Sequence, residues 1–134
     1  HMFSEHGIQP VFEMINGTDM PRFLVQNIAQ AQEMLEAVQH PALKMQYDCY
    51  HMAMMGEDVL QGLQENIQAI GHIQFADCPG RHEPDTAQIM YANIFEWLQH
   101  SSYDGFIAAE YRPKTVSTQS FAWKAKYFAA HPQS

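Results

Sequence analysis

The sequence predicts an α/β fold built from four βα units around a parallel sheet. Three observations carry that prediction. A short apolar stretch gives way to a longer stretch of helical periodicity four times in succession. Turn-forming residues, Asn16-Gly17, Pro41, Pro79-Gly80 and Pro113, punctuate the repeats. Each short stretch also carries, near its end, a polar side chain that does not suit a strand interior.

In order, the expected strands are Val11 to Ile15, Leu43 to Asp48, His72 to Ala76 and Phe106 to Tyr111. The first helix is expected to carry Leu24, Ile28, Ala31, Leu35 and Val38, whose steps of four and three place them on one face. Leu60, Leu63, Ile67 and Ile70 repeat the pattern in the second helix, and Tyr91, Ile94, Phe95 and Leu98 in the third. The last helix, Thr118 to Ala130, is aromatic, with Phe121, Trp123 and Phe128. Consecutive parallel strands need a returning helix between them, so the order β-α four times over implies right-handed crossovers. The one long irregular stretch, from Cys78 to about Asp85, is the length of loop that usually carries function.

At 134 residues the chain makes one domain, taken as residues 3–134, with His1-Met2 set aside as a cloning scar. A composition 46% hydrophobic with 16% charged residues belongs to a folded globular chain, not a disordered one. The formal charge of −8 repels polyanions, which argues against nucleic acid and anionic membrane surfaces as partners. No apolar run approaches the roughly 20 residues of a membrane span, and the two cysteines, Cys49 and Cys78, read as reduced thiols. The expected setting is the cytoplasm.

Glu13, Asp48, Gln74 and Glu110 lie at the C-terminal ends of the four expected strands, which share one edge of a parallel sheet. An unpaired carboxylate buried there costs several kcal/mol, so these groups need a common partner or solvent. Three carboxylates and an amide oxygen form a hard donor set, suited to Mg²⁺ or Mn²⁺ more than to zinc, although an imidazole from His51 or His72 nearby would shift that choice. His51, three residues after Asp48, stands either beside a bound substrate oxygen or as a satisfied structural histidine. Arg81, in Arg81-His82-Glu83, is either a fork for a substrate carboxylate or part of a surface charge cluster. Met45, Met52, Met54 and Met55 read as core filler.

Five blocks carry a family resemblance: Phe12-Glu13-Met14-Ile15-Asn16, Met45 to His51, Gly71 to Asp77, Pro79-Gly80-Arg81-His82-Glu83-Pro84 and Ala109-Glu110-Tyr111-Arg112-Pro113. In this order they resemble the hydroxypyruvate isomerase family of xylose-isomerase-like proteins. Those enzymes are (β/α)8 barrels of roughly 250 residues, and the likeness falls on their second half, strands five to eight. The resemblance thus implies half of a (β/α)8 barrel. It further implies that Glu13, Asp48, Gln74 and Glu110 are metal ligands, that Glu13 and Glu110 are the proton-transfer pair, and that His51 and Arg81 hold substrate oxygens. Two departures stand out: Met14 replaces a proline, and Asp85-Thr86-Ala87-Gln88 replaces a glycine-rich continuation.

The implied activity is a metal-dependent aldose–ketose type isomerisation of a small hydroxy-carbonyl acid through an enediolate, as in hydroxypyruvate to tartronate semialdehyde. Two four-stranded halves would close a barrel, so the expected assembly is a homodimer in which strand one of each copy pairs with strand four of the other. An open sheet with helices on both faces is the other architecture. The alternative function is a catalytically weak half-barrel serving as a homo-oligomeric binding or assembly module, and a fragment of a larger enzyme is a further reading. A metal-dependent nuclease fits poorly with the acidic balance.

Overall fold

The computed structural model describes residues 2–128. Its elements run α1 (Met2–Glu5), β1 (Val11–Glu13), α2 (Ile28–Val38), β2 (Lys44–Asp48), α3 (Cys49–Met54), α4 (Val59–Asn66), β3 (Ile70–Phe75), α5 (Tyr91–His100), β4 (Ile107–Ala109) and α6 (Ala122–Phe128). The strands form one four-stranded sheet in the order β1-β2-β3-β4, and every pairing is parallel. The fold class read from the sequence is therefore the observed one.

Strand residues alternate between two faces. Phe12, Met45, Tyr47, Ile73 and Phe75 turn to the core, where Met45 and Tyr47 are fully buried against helix residues such as Leu63, Ile94 and Phe95. The register aligns Glu13 with Gln46, Gln46 with His72, and Asp48 with Gln74 and then Ala108, so the opposite face is a polar row. Glu13, Gln46, His72 and Gln74 on that face are only partly buried. An open sheet layered by helices on both faces would bury both rows, so this arrangement matches the wall of a barrel interior.

Several element bounds differ from the sequence reading. The first helix starts at Ile28, capped by Asn27, whose side chain accepts from the Gln30 N–H; Leu24 lies before it and is 79% exposed. Residues 17–26 fold as turns instead, because Asn16 gathers the following N–H groups. A helix that the sequence reading did not contain, α3, follows β2 directly and is capped by the Asp48 carboxylate. The next helix ends at Asn66 and tightens into a 3₁₀ turn over Ile67–Ala69, which makes Ile70 the first residue of β3 instead of the last of a helix. Strand β1 stops at Glu13 and β4 at Ala109, shorter than expected. The last helix spans Ala122–Phe128, and its expected end at Ala130 lies outside the described residues, as does His1.

Both cysteines are buried and free. Met45 and Met52 are fully buried, as core filler should be, while Met54 and Met55 are half-buried. No helix among the described residues is long and apolar enough to cross a membrane.

Candidate active site

The C-terminal ends of the strands place the predicted residues side by side. Glu13 is the last residue of β1, Asp48 the last of β2, Gln74 the next-to-last of β3, and Glu110 follows β4 directly. Glu13 and Glu110 line an open cleft of about 660 Å³ together with Asp19, Tyr50, His51, Arg81 and Arg112 among others.

Three groups come together most closely. One donor atom each from Glu13, Asp48 and His51 lies within 4.8 Å of the others, a spacing able to hold a metal ion. His51 Nε2 is 3.8 Å from Glu13 Oε1 and 3.8 Å from Asp48 Oδ2. Glu110 stands differently. Its carboxylate is held at 2.5 Å by Arg81 Nη2, which also reaches Asp48 Oδ2 at 3.3 Å. Arg81 therefore joins two of the predicted ligands, and its guanidinium lies over the Tyr50 ring. The Gln74 amide oxygen accepts from Gln46 Nε2 at 2.7 Å.

The environment shapes these groups strongly. Burial, together with the Asp48 and Glu110 carboxylates nearby, pushes the Glu13 carboxyl up to about 7. Burial likewise raises Asp48 to about 6, although the Tyr50 N–H and Arg81 favour its ionised form. His51 is held down to about 4 by burial and then by the Arg81 charge, so its ring is neutral around pH 7.

Other residues that sequence reasoning did not single out build the frame. Asn16, fully buried, contacts His51 Nδ1 at 2.6 Å. Asp19 accepts from Asn16 Nδ2 and from the Tyr50 hydroxyl, and the first of these holds its carboxyl below the usual range. Asp77, also fully buried, accepts from the N–H groups of Cys78, Thr86, Ala87 and Ile89 and so folds the loop that carries Arg81. That loop is tied onward through Glu83 to the Lys114 N–H and through Asp85 to Lys126 and Tyr127. The signal for Asn16 and Asp77 was present, since both fall inside the resembling blocks, but one read as a turn former and the other fell just past the expected third strand.

A family model, that of the xylose isomerase-like TIM barrel, matches residues 1–127. The chain belongs to that family. Among curated relatives of this family, the 2-oxo-tetronate isomerase of Cupriavidus necator is 37% identical over 121 residues, which is 90% of this chain and 46% of that protein. The hydroxypyruvate isomerase of Escherichia coli is 34% identical over 127 residues, covering 95% of this chain and 49% of that protein. The crystal structure of an AP endonuclease, family 2, from Brucella melitensis superposes with a TM-score of 0.89 at 30% identity, across 94% of this chain and 49% of that one. This xylose isomerase-like chain thus spans about half the length of the relatives it matches, in keeping with four strands of an eight-stranded barrel.

Proposed function

We propose that this chain carries the catalytic mouth of an isomerase for a small α-hydroxy carbonyl acid, of the hydroxypyruvate or 2-oxo-tetronate kind, assisted by Mg²⁺ or Mn²⁺. The observation that carries the reading is the gathering of Glu13, Asp48 and His51 at one strand edge, with Arg81 and Glu110 beside them. The named relatives support the substrate class.

The donor set fits a hard divalent cation. Glu13 and Asp48 are carboxylates kept above their usual range by burial and by neighbouring carboxylates, a situation that a positive charge relieves. Glu13 and Asp48 would hold it, with Gln74 and Glu110 completing the oxygen set once Arg81 turns to substrate. When bound, such an ion supplies positive charge beside the carbonyl and hydroxyl oxygens of the substrate and acidifies the hydrogen on the carbon between them.

The chain's own groups then move the proton. Glu13, ionised beside the cation, takes it from one carbon to give an enediolate. Glu110 passes a proton taken up from solvent to the adjacent carbon, the hydroxyl proton moves to the former carbonyl oxygen, and the carbonyl shifts by one position. Glu13 gives its proton back to solvent, so both carboxylates end ionised as they began. Arg81 presents a fork that a substrate carboxylate can take over from Glu110. The neutral His51 ring sits against the same oxygens without adding charge.

A homodimer would supply the strands that β1 and β4 lack on their outer edges among the described residues, and two free buried thiols suit a cytoplasmic setting. Those unpaired edges also favour the second reading, an assembly half-barrel with little turnover. An assay of the 134-residue chain with hydroxypyruvate and with 2-oxo-tetronate, with and without Mn²⁺, tests the proposal. Mn²⁺-dependent conversion abolished by Glu13→Gln supports it; no conversion by a chain that forms a stable oligomer supports the assembly reading.

A further inference from the structure

Asn16 has one arrangement of its amide that the surrounding atoms allow. Its Oδ1 accepts from the N–H groups of Thr18 at 3.1 Å and Asp19 at 2.8 Å. Its Nδ2 donates to Asp19 Oδ2 at 3.0 Å. Exchanging the two amide atoms would set an NH₂ against two N–H donors and an oxygen against a carboxylate, so three contacts fix the orientation. The same Nδ2 faces His51 Nδ1 at 2.6 Å, and the backbone N–H of Asn16 points to that nitrogen at 3.4 Å. Two donors at one ring nitrogen leave it only the acceptor role.

We infer that Asn16 is a positioning residue that fixes His51 as the tautomer protonated on Nε2, so that His51 is a hydrogen-bond donor to a substrate oxygen and not a metal ligand. The inference deepens the proposed isomerase reading and rests on it for the word substrate. Its geometric half stands apart from any activity. Nε2 is the nitrogen turned toward Glu13 Oε1 and Asp48 Oδ2. A ring nitrogen that carries a proton has no lone pair for an ion. The cation site is then made of oxygen donors alone, which favours Mg²⁺ or Mn²⁺ over zinc at this centre. The N–H that remains faces the Glu13 and Asp48 carboxylates at the edge of the cleft in which the proposed reading seats a substrate oxygen. A doubly protonated ring is excluded by the same two donors at Nδ1.

The test is a long-range ¹H–¹⁵N correlation spectrum of histidine-labelled protein, with His51 assigned by loss of its signals in His51→Gln. The expected result is an Nε2-protonated ring with an unprotonated Nδ1, unchanged on adding Mg²⁺ or Zn²⁺ alone. Asn16→Asp keeps an oxygen for the Thr18 and Asp19 N–H groups but replaces the donor by an acceptor, and is expected to move the proton to Nδ1. Should that variant not fold, Asn16→Ala is read in the same way and is expected to show both tautomers. An Nδ1-protonated ring in the unaltered protein overturns the inference. So does an Nε2 that loses its proton to Zn²⁺, or a tautomer indifferent to both substitutions. Absence of isomerase activity with the Nε2-protonated ring in place would count against the function and leave this inference standing.

Discussion

Arg81 holds two opposing tendencies at once. Its guanidinium neutralises Asp48 and Glu110, and in the proposed reading it is also the cation that meets a substrate carboxylate. Replacing it by Gln should therefore split two affinities that ordinarily move together. Mn²⁺ is expected to bind several-fold more tightly to Arg81→Gln, because the carboxylates lose a competing charge. Binding of a hydroxy-carbonyl acid is expected to weaken by about 1.5–3 kcal/mol, the worth of a charge-assisted hydrogen bond. Calorimetric titration of each ligand checks both. The ionisable groups add a pH dependence in the metal-free protein. Glu13 and Asp48 have folded values near 7 and 6, above their ordinary 4.5 and 3.8, so the folded state binds more protons than the unfolded one between those limits. Their contribution to stability is whole below about pH 4 and is lost as pH rises through 6 to 7, by about 3 kcal/mol at most for each. His51, lowered from 6.5 to about 4, works in the opposite sense, and its contribution is lost as pH falls through that interval. The two effects oppose each other up to pH 6.5, and above it only the carboxylate loss continues. Thermal melts across pH 4 to 8 should show this decline near neutrality, and saturating Mn²⁺ should remove it by holding the carboxylates ionised.

Helix α4 is set on the sheet by Gly62. A Cβ at that position would strike the Tyr47 hydroxyl and come within 2.8 Å of Ile28 Cδ1, while Tyr47 itself donates to the Val59 carbonyl at 3.1 Å. Gly62→Ala should gain about 1 kcal/mol of helix propensity and lose about 1–3 kcal/mol to overpacking. The expected net result is destabilisation in a urea titration. The Asp77 loop is the second element with a measurable role, since four backbone N–H groups converge on one carboxylate. Asp77→Asn puts an NH₂ among those donors and is expected to cost about 1–3 kcal/mol. It should also weaken substrate binding more than Mn²⁺ binding, because Arg81 rides on this loop while Asp48 does not. The sequence spoke clearly where burial follows periodicity: Tyr91, Ile94, Phe95 and Leu98 are all buried on α5 as their spacing required. It misled where a local polar contact overrides an apolar spacing. Leu24 has the right step from Ile28, yet Asn16 and Asn27 organise turns that leave it outside the helix. Ile70 continues the α4 stripe in sequence, but the 3₁₀ turn hands it to β3. The strand-end carboxylates were legible because a charge in an apolar strand is conspicuous. Asn16 was not, because a buried amide and a turn amide look alike in sequence.

Among the described residues, one sheet face is a packed core and the other a half-exposed row of polar side chains, while β1 and β4 each present an unpaired edge. A second four-stranded half would cover both features, and a second copy of this chain can supply it by pairing β1 of one with β4 of the other. Light scattering coupled to size exclusion is expected to return twice the 15.4 kDa chain mass, and a clean monomer would rule out the shared barrel. Whether one copy or two, the proposed cation-binding edge lies within a single chain, which makes it testable without the assembly. Titration with Mn²⁺, followed by the loss of free-ion electron paramagnetic resonance signal, reaches the centre of the account. Saturable binding of Mn²⁺, lost in Glu13→Gln and in Asp48→Asn, is the result expected; an unaltered chain that takes up no Mn²⁺, or variants that bind it equally well, would contradict it.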